Sequence, residues 1–206
     1  MRFILMLSLL TFSFSGFAQS KATQKLFKSI QKNDVVLAQS ALLEGADVNG
    51  IDDFKKPTTT VLIEAVKHKR DKIVSLLLGS RADVNQRSPK DFLTGLMIAS
   101  KNNDARILKI LLASDADVNL ENLRGETALH IAAFNNSTDA GKLLISSREI
   151  DVNAGGENCA LVTAAKEGHS GMTILLKSVV NPVCLEKALQ SAEKNNKDVI
   201  VRILGR

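Results

Sequence analysis

The side chains that could do chemistry are few and scattered. The histidines of the chain are His68, His130 and His169. A metal site needs ligands that converge, for instance at positions i and i+4 of one helix, and no such pair occurs among them. Asp52 and Asp53 are paired carboxylates, but they fall on a predicted loop tip without an acid/base partner in view. Gly155-Gly156 lacks the strand-to-helix context of a dinucleotide loop, and there is no Gly-x-Ser-x-Gly nucleophile elbow. The expectation is a protein with no catalytic residues, no metal and no cofactor. Cys159 and Cys184 remain, and their meaning depends on the elements that carry them.

Composition bounds those elements. The chain has 206 residues, 27 Lys+Arg against 22 Asp+Glu, 45% hydrophobic residues, and Phe as its sole aromatic type. This is enough chain for one domain or a short array with an aliphatic core, and it is too apolar for a disordered protein. Two Cys and three Pro exclude a multi-disulfide scaffold and point to helices joined by short turns. The N-terminus reads as a cleaved secretory signal over residues 1–18: Arg2, an apolar run from Phe3 to Phe14, then Gly16-Phe17-Ala18 at the cleavage site. The run is short of the ~20 residues of a spanning helix, and nothing later in the chain is apolar enough to span a bilayer. The expectation is a mildly basic domain over residues 19–206, without membrane attachment after cleavage, in the periplasm.

A four-residue phrase recurs as Ala46-Asp47-Val48-Asn49, Ala82-Asp83-Val84-Asn85, Ala116-Asp117-Val118-Asn119 and Ile150-Asp151-Val152-Asn153, its Asp residues 36, 34 and 34 positions apart. Each follows a Leu-rich segment: Leu42-Leu43, Leu76 to Leu78, Leu111-Leu112 and Leu143-Leu144. Between them runs a second motif, Thr60-x-Leu62-x-x-Ala65, Thr94-x-Leu96-x-x-Ala99, Thr127-Ala128-Leu129-His130-Ile131-Ala132 and Cys159-x-Leu161-x-x-Ala164. A period of this length marks stacked helical repeats. The Thr hydroxyl suits a helix N-cap, Ala one turn on permits close helix approach, and Gly45 suits a left-handed helix end.

These motifs resemble the ankyrin repeat family, in which Thr-Pro-Leu-His opens the first helix and Gly-Ala-Asp-Val-Asn follows the second. The resemblance implies an all-α solenoid of helix-turn-helix pairs with hairpin fingers. About five repeats are expected, the first over residues 22–43, with a degenerate capping pair over Cys184 to Leu204. The family's Pro is replaced by Val61, Gly95, Ala128 and Ala160. From each Asn to the next motif start the count is eleven, nine, eight and six residues, so the early fingers are long. His130 and His169 are expected to hydrogen-bond within and between repeats. Adjacent layers stand ~8–10 Å apart, which favours two separate thiols at Cys159 and Cys184. The short connection between them leaves a disulfide open.

The resemblance further implies protein binding through finger tips and exposed ends of first helices. Carried over by position, this surface comprises Phe54, Lys56, Lys67 and His68, then Lys90, Phe92, Leu93 and Lys101, then Leu123, Arg124, Phe134 and Asn135. Four of the eight Phe lie within the signal, and three of the remainder fall on this surface, where large apolar groups ringed by charge suit an interface core and rim. Folding back of Phe54 and Phe92 between fingers is the alternative. The run Lys67-His68-Lys69-Arg70-Asp71-Lys72 includes an acid and no flanking aromatics for base stacking, so nucleic acid is not the expected ligand; it could steer an acidic protein. The expected partner is a periplasmic or secreted enzyme, bound by a protein that is otherwise monomeric. Masking of a peptidoglycan hydrolase or endopeptidase, as an immunity inhibitor, is the preferred reading. The alternatives are a scaffold supporting an antioxidant enzyme and an exported effector that binds a host or prey protein.

Overall fold

The repeat phrases follow the second helix of each pair and lie between successive pairs. The computed structural model describes residues 21–52 and 59–205, and among these the secondary structure is helical apart from an isolated antiparallel bridge between Ile51 and Thr60. The expected signal segment, Phe54 and Lys56 lie outside the described residues. The chain divides between Lys90 and Asp91 into two compact units.

The N-terminal unit holds α1 (21–32), α2 (Val35–Leu43), α3 (Val61–Lys67) and α4 (Asp71–Gly79). Asp34 and Thr60 cap α2 and α3 by accepting the N–H of Leu37 and Ile63. Gly45 adopts φ +87°, the left-handed helix end its position predicts. The Arg70 side chain donates to the Ile30 carbonyl at 3.1 Å and so ties the α3–α4 turn to α1.

The C-terminal unit holds four pairs: α5 (Gly95–Lys101) with α6 (Ala105–Leu112), α7 (Ala128–Phe134) with α8 (Thr138–Ile145), α9 (Ala160–Glu167) with α10 (Ser170–Lys177), and α11 (Pro182–Lys194) with α12 (Asp198–Leu204). Helices α5, α7, α9 and α11 pack in succession as one row, and α6, α8, α10 and α12 as another. The motif positions form the core between them. Leu96, Leu129, Leu161, Ala99, Ala132 and Ala164 are buried from the first row, Leu111, Leu144 and Leu176 from the second.

The Asp-Val-Asn phrase divides its labour. Asp accepts the N–H of the Asn two residues on, at 2.9 Å in each of the four copies. Asn then reaches the neighbouring layer: the Asn49 Oδ1 accepts Asp83 N–H, Asn119 accepts Asp151 N–H, and Asn153 accepts Asn181 N–H, all at 2.8 Å. One phrase thus closes its own turn and sets the spacing to the next.

The turn inside each pair carries a second regularity, one outside the two recurring motifs. Asn33, Lys69, Asn103, Asn136, Gly168 and Asn196 all have positive φ. Asn and Gly tolerate this conformation best. Lys69 is the exception.

The preference for separate thiols is overturned. Cys159 and Cys184 form a disulfide with their Cα atoms 6.2 Å apart. The generic layer spacing was the wrong measure, because Cys159 is the N-cap of α9 and Cys184 lies in the first turn of α11. Two helix starts that face each other approach more closely than two helix axes.

Candidate protein-binding face

In the C-terminal unit the proposed surface is built on anchored backbone. The finger before α7 turns on Asn122. Its side-chain Oδ1 accepts the N–H of Arg124 at 2.8 Å and of Glu126 at 3.0 Å, while its Nδ2 donates to the Glu126 carboxylate at 2.8 Å. Asn122 N–H also donates to the Glu126 carbonyl and Gly125 N–H to the Asn122 carbonyl. Leu123 N–H donates to the carbonyl of Asp91 in the preceding finger at 3.4 Å. The tip is held from within and from its neighbour, so Leu123 and Arg124 project from a fixed turn.

The end of α7 is held just as firmly. The His169 Nε2–H donates to the Phe134 carbonyl at 2.9 Å, and the Asn135 side chain donates to the Ile131 carbonyl at 2.8 Å. Leu123 is 64% exposed and Phe134 56% exposed. Lys101 and Arg124 stand exposed on the same unit. Phe92 is 39% exposed at φ +55°, and Leu93 is half-buried. Lys101, Phe134 and Asn135 are therefore together at the ends of adjacent helices, and Leu123 and Arg124 on the finger that leads into α7.

In the N-terminal unit Lys67, His68 and Lys90 are exposed. Lys67 and His68 are partly committed to Glu64, which accepts from the His68 Nε2–H at 2.9 Å and has Lys67 Nζ at 3.6 Å. That pairing reduces the free basic charge that the run Lys67 to Lys72 suggests in sequence.

His130 is structural, as its motif position implies. Its Nδ1 accepts from the Thr127 hydroxyl at 2.9 Å and its Nε2–H donates to the Asn158 carbonyl at 3.1 Å. The tautomer is fixed by these partners, and it bridges one repeat to the next. Burial pushes the imidazole below its ordinary value, opposed by the bond to Asn158 and by the Glu126 and Glu121 carboxylates. Thr60 and Thr94 cap their helices as expected, accepting from Ile63 and Met97. Thr127 and His130 form a capping box at the start of α7, the His130 Nδ1 also accepting the Thr127 N–H at 3.3 Å.

Among the described residues, no group of three His, Cys, Asp or Glu side chains could hold a metal ion. The arrangement that the residues do form is a rigid surface with protruding apolar side chains and a charged surround.

Capped helix pairs, joined by side chains that reach from one layer to the next and presenting fixed fingers, define a repeat scaffold for binding other proteins. Two family models agree with this architecture, one described as ankyrin repeats in three copies over residues 96–184 and one as ankyrin repeats in many copies over residues 62–112. Together they cover more than half of the chain, and the chain belongs to the ankyrin repeat family. Such repeats are protein-interaction modules. No curated protein matches the chain.

Proposed function

We propose that this ankyrin-repeat protein is an exported, non-enzymatic module that masks a secreted enzyme, and that the enzyme is a peptidoglycan hydrolase or endopeptidase from which the producing cell protects itself. The observation that carries the masking reading is the display of Leu123 and Phe134, both more than half exposed, on backbone that is already ordered. A surface fixed before binding costs little ordering entropy when it docks, which suits occlusion of an open cleft. Export is supported by the apolar run Phe3 to Phe14 with small residues at Gly16 and Ala18. A disulfide between Cys159 and Cys184 fits an oxidising compartment.

The test is affinity capture with the chain from Gln19 onward in a periplasmic extract, followed by an assay of the captured enzyme. Loss of turnover in the complex is expected. A captured enzyme whose turnover is unchanged would overturn the masking role.

A further inference from the structure

The left-handed turn residues repeat the register of the exposed helix ends and carry it on to α9 and α11. In the C-terminal unit these residues are Asn103, Asn136, Gly168 and Asn196. Two positions before each stand Lys101, Phe134, Lys166 and Lys194, every one exposed. They end α5, α7, α9 and α11, or stand one residue from the end, and these helices pack in succession. The side chains therefore form one row of ~24–30 Å, at ~8–10 Å per helix. Phe134 interrupts a line of lysines.

Helix C-termini favour cations through the macrodipole, which accounts for a lysine at any one of these sites. It does not account for the absence of counter-charges. Among the described residues, none of the ion pairs engages Lys101, Lys166 or Lys194. Nor does it account for a half-exposed Phe within the row.

We infer that the row Lys101, Phe134, Lys166 and Lys194 is a docking strip for an acidic protein segment, one that presents an apolar side chain to Phe134 between carboxylates that meet the lysines. This rests on the protein-binding reading above and adds the chemistry of the partner. Unpaired ammonium groups beside an apolar anchor match a carboxylate-rimmed apolar site, the arrangement of charge and core that protein interfaces use. A single-stranded nucleic acid would use several stacking aromatics, and the row has one.

The experiment measures binding of a fluorescent synthetic peptide, with leucines set among Asp and Glu, to the full disulfide-bonded protein by anisotropy. Lys101→Glu/Lys166→Glu is compared with Lys109→Glu/Lys142→Glu, an equal charge change on α6 and α8. The strip predicts at least ten-fold weaker binding for the first variant, less than two-fold change for the second, and affinity that falls with salt. Equal weakening by both variants, or no peptide binding to the parent protein, overturns it. Tighter binding of single-stranded DNA or of phosphatidylglycerol vesicles than of the peptide overturns it as well. Failure of the strip is distinct from failure of the masking role: inhibition of a captured enzyme that survives Lys101→Glu/Lys166→Glu removes the strip alone, whereas peptide binding without enzyme inhibition removes the masking role alone.

Discussion

Reduction of the Cys159–Cys184 bond is the perturbation whose cost can be worked from the structure. The two cysteines are 25 residues apart and enclose α9 and α10. For a closed loop of that length the chain-entropy relation gives about 3.5 kcal/mol at 25 °C. Both residues are buried, so the reduced thiols stay in place as small apolar groups and most of the loss acts through the unfolded chain. A second term separates the bond from its cysteines. Cys159 stands where Thr60 and Thr94 cap their helices and makes no cap bond itself. Cys159→Thr combined with Cys184→Ala should therefore recover about 1 kcal/mol of cap and lie about 2.5 kcal/mol below the oxidised protein. Urea unfolding followed by circular dichroism, with and without reductant, gives the differences. Hydrogen exchange should place the first loss of protection in α11 and α12, because repeat arrays lose stability locally. An unchanged midpoint on reduction, or two free thiols titrated in the denatured, unreduced protein, would refute the reasoning.

Leu123→Ala combined with Phe134→Ala should weaken capture of the partner more than ten-fold with no change in the melting curve, measured by pull-down and calorimetry, since both side chains are exposed. Gly155 has φ +82° and a Cβ there would stand 2.9 Å from His130 Nε2, so Gly155→Ala should cost about 2–3 kcal/mol in urea unfolding. Gly156→Ala, at φ +56° with nothing within 4 Å, should cost about 1 kcal/mol. Lys69→Asn, at φ +56°, should raise stability by about 0.5–1 kcal/mol by the same measure. His130 is held below its ordinary value by burial, so the unfolded chain binds its proton first. Stability should accordingly fall as pH drops below ~6.5, by at most about 1.4 kcal/mol per pH unit, and level off below the folded value. His130→Gln should remove that component from the urea midpoint measured against pH.

The helix pairs were legible because each repeat uses the same residue type for the same physical task. Thr60 and Thr94 cap, Leu96 and Leu129 fill the core, and Asp117 closes the turn that Asn119 then links to the next layer. What escaped was of two kinds. The left-handed turn residues include Lys69, whose type gives no sign of its conformation, although the pairs Asn102-Asn103 and Asn135-Asn136 carried a usable signal. The disulfide escaped because it joins two helix starts, and a spacing between axes says nothing about that distance.

The candidate surface was legible in part, for a related reason. Sequence position alone placed Leu123 and Phe134 outside the core, but whether they stand fixed depends on bonds made by Asn122 and His169, which come from the turn and from the following repeat. Those same bonds serve the stack, so the C-terminal unit obtains a preordered surface from the contacts that hold its layers together. The consequence is a separation of roles within single segments. Replacing Asn122 or His169 disturbs both the fold and the display of neighbouring side chains. Replacing Leu123 or Phe134 leaves every one of the backbone bonds in place. On the proposed binding role, exposed side chains such as Lys101, Leu123 and Phe134 can therefore vary without drawing on the stability of the scaffold that presents them.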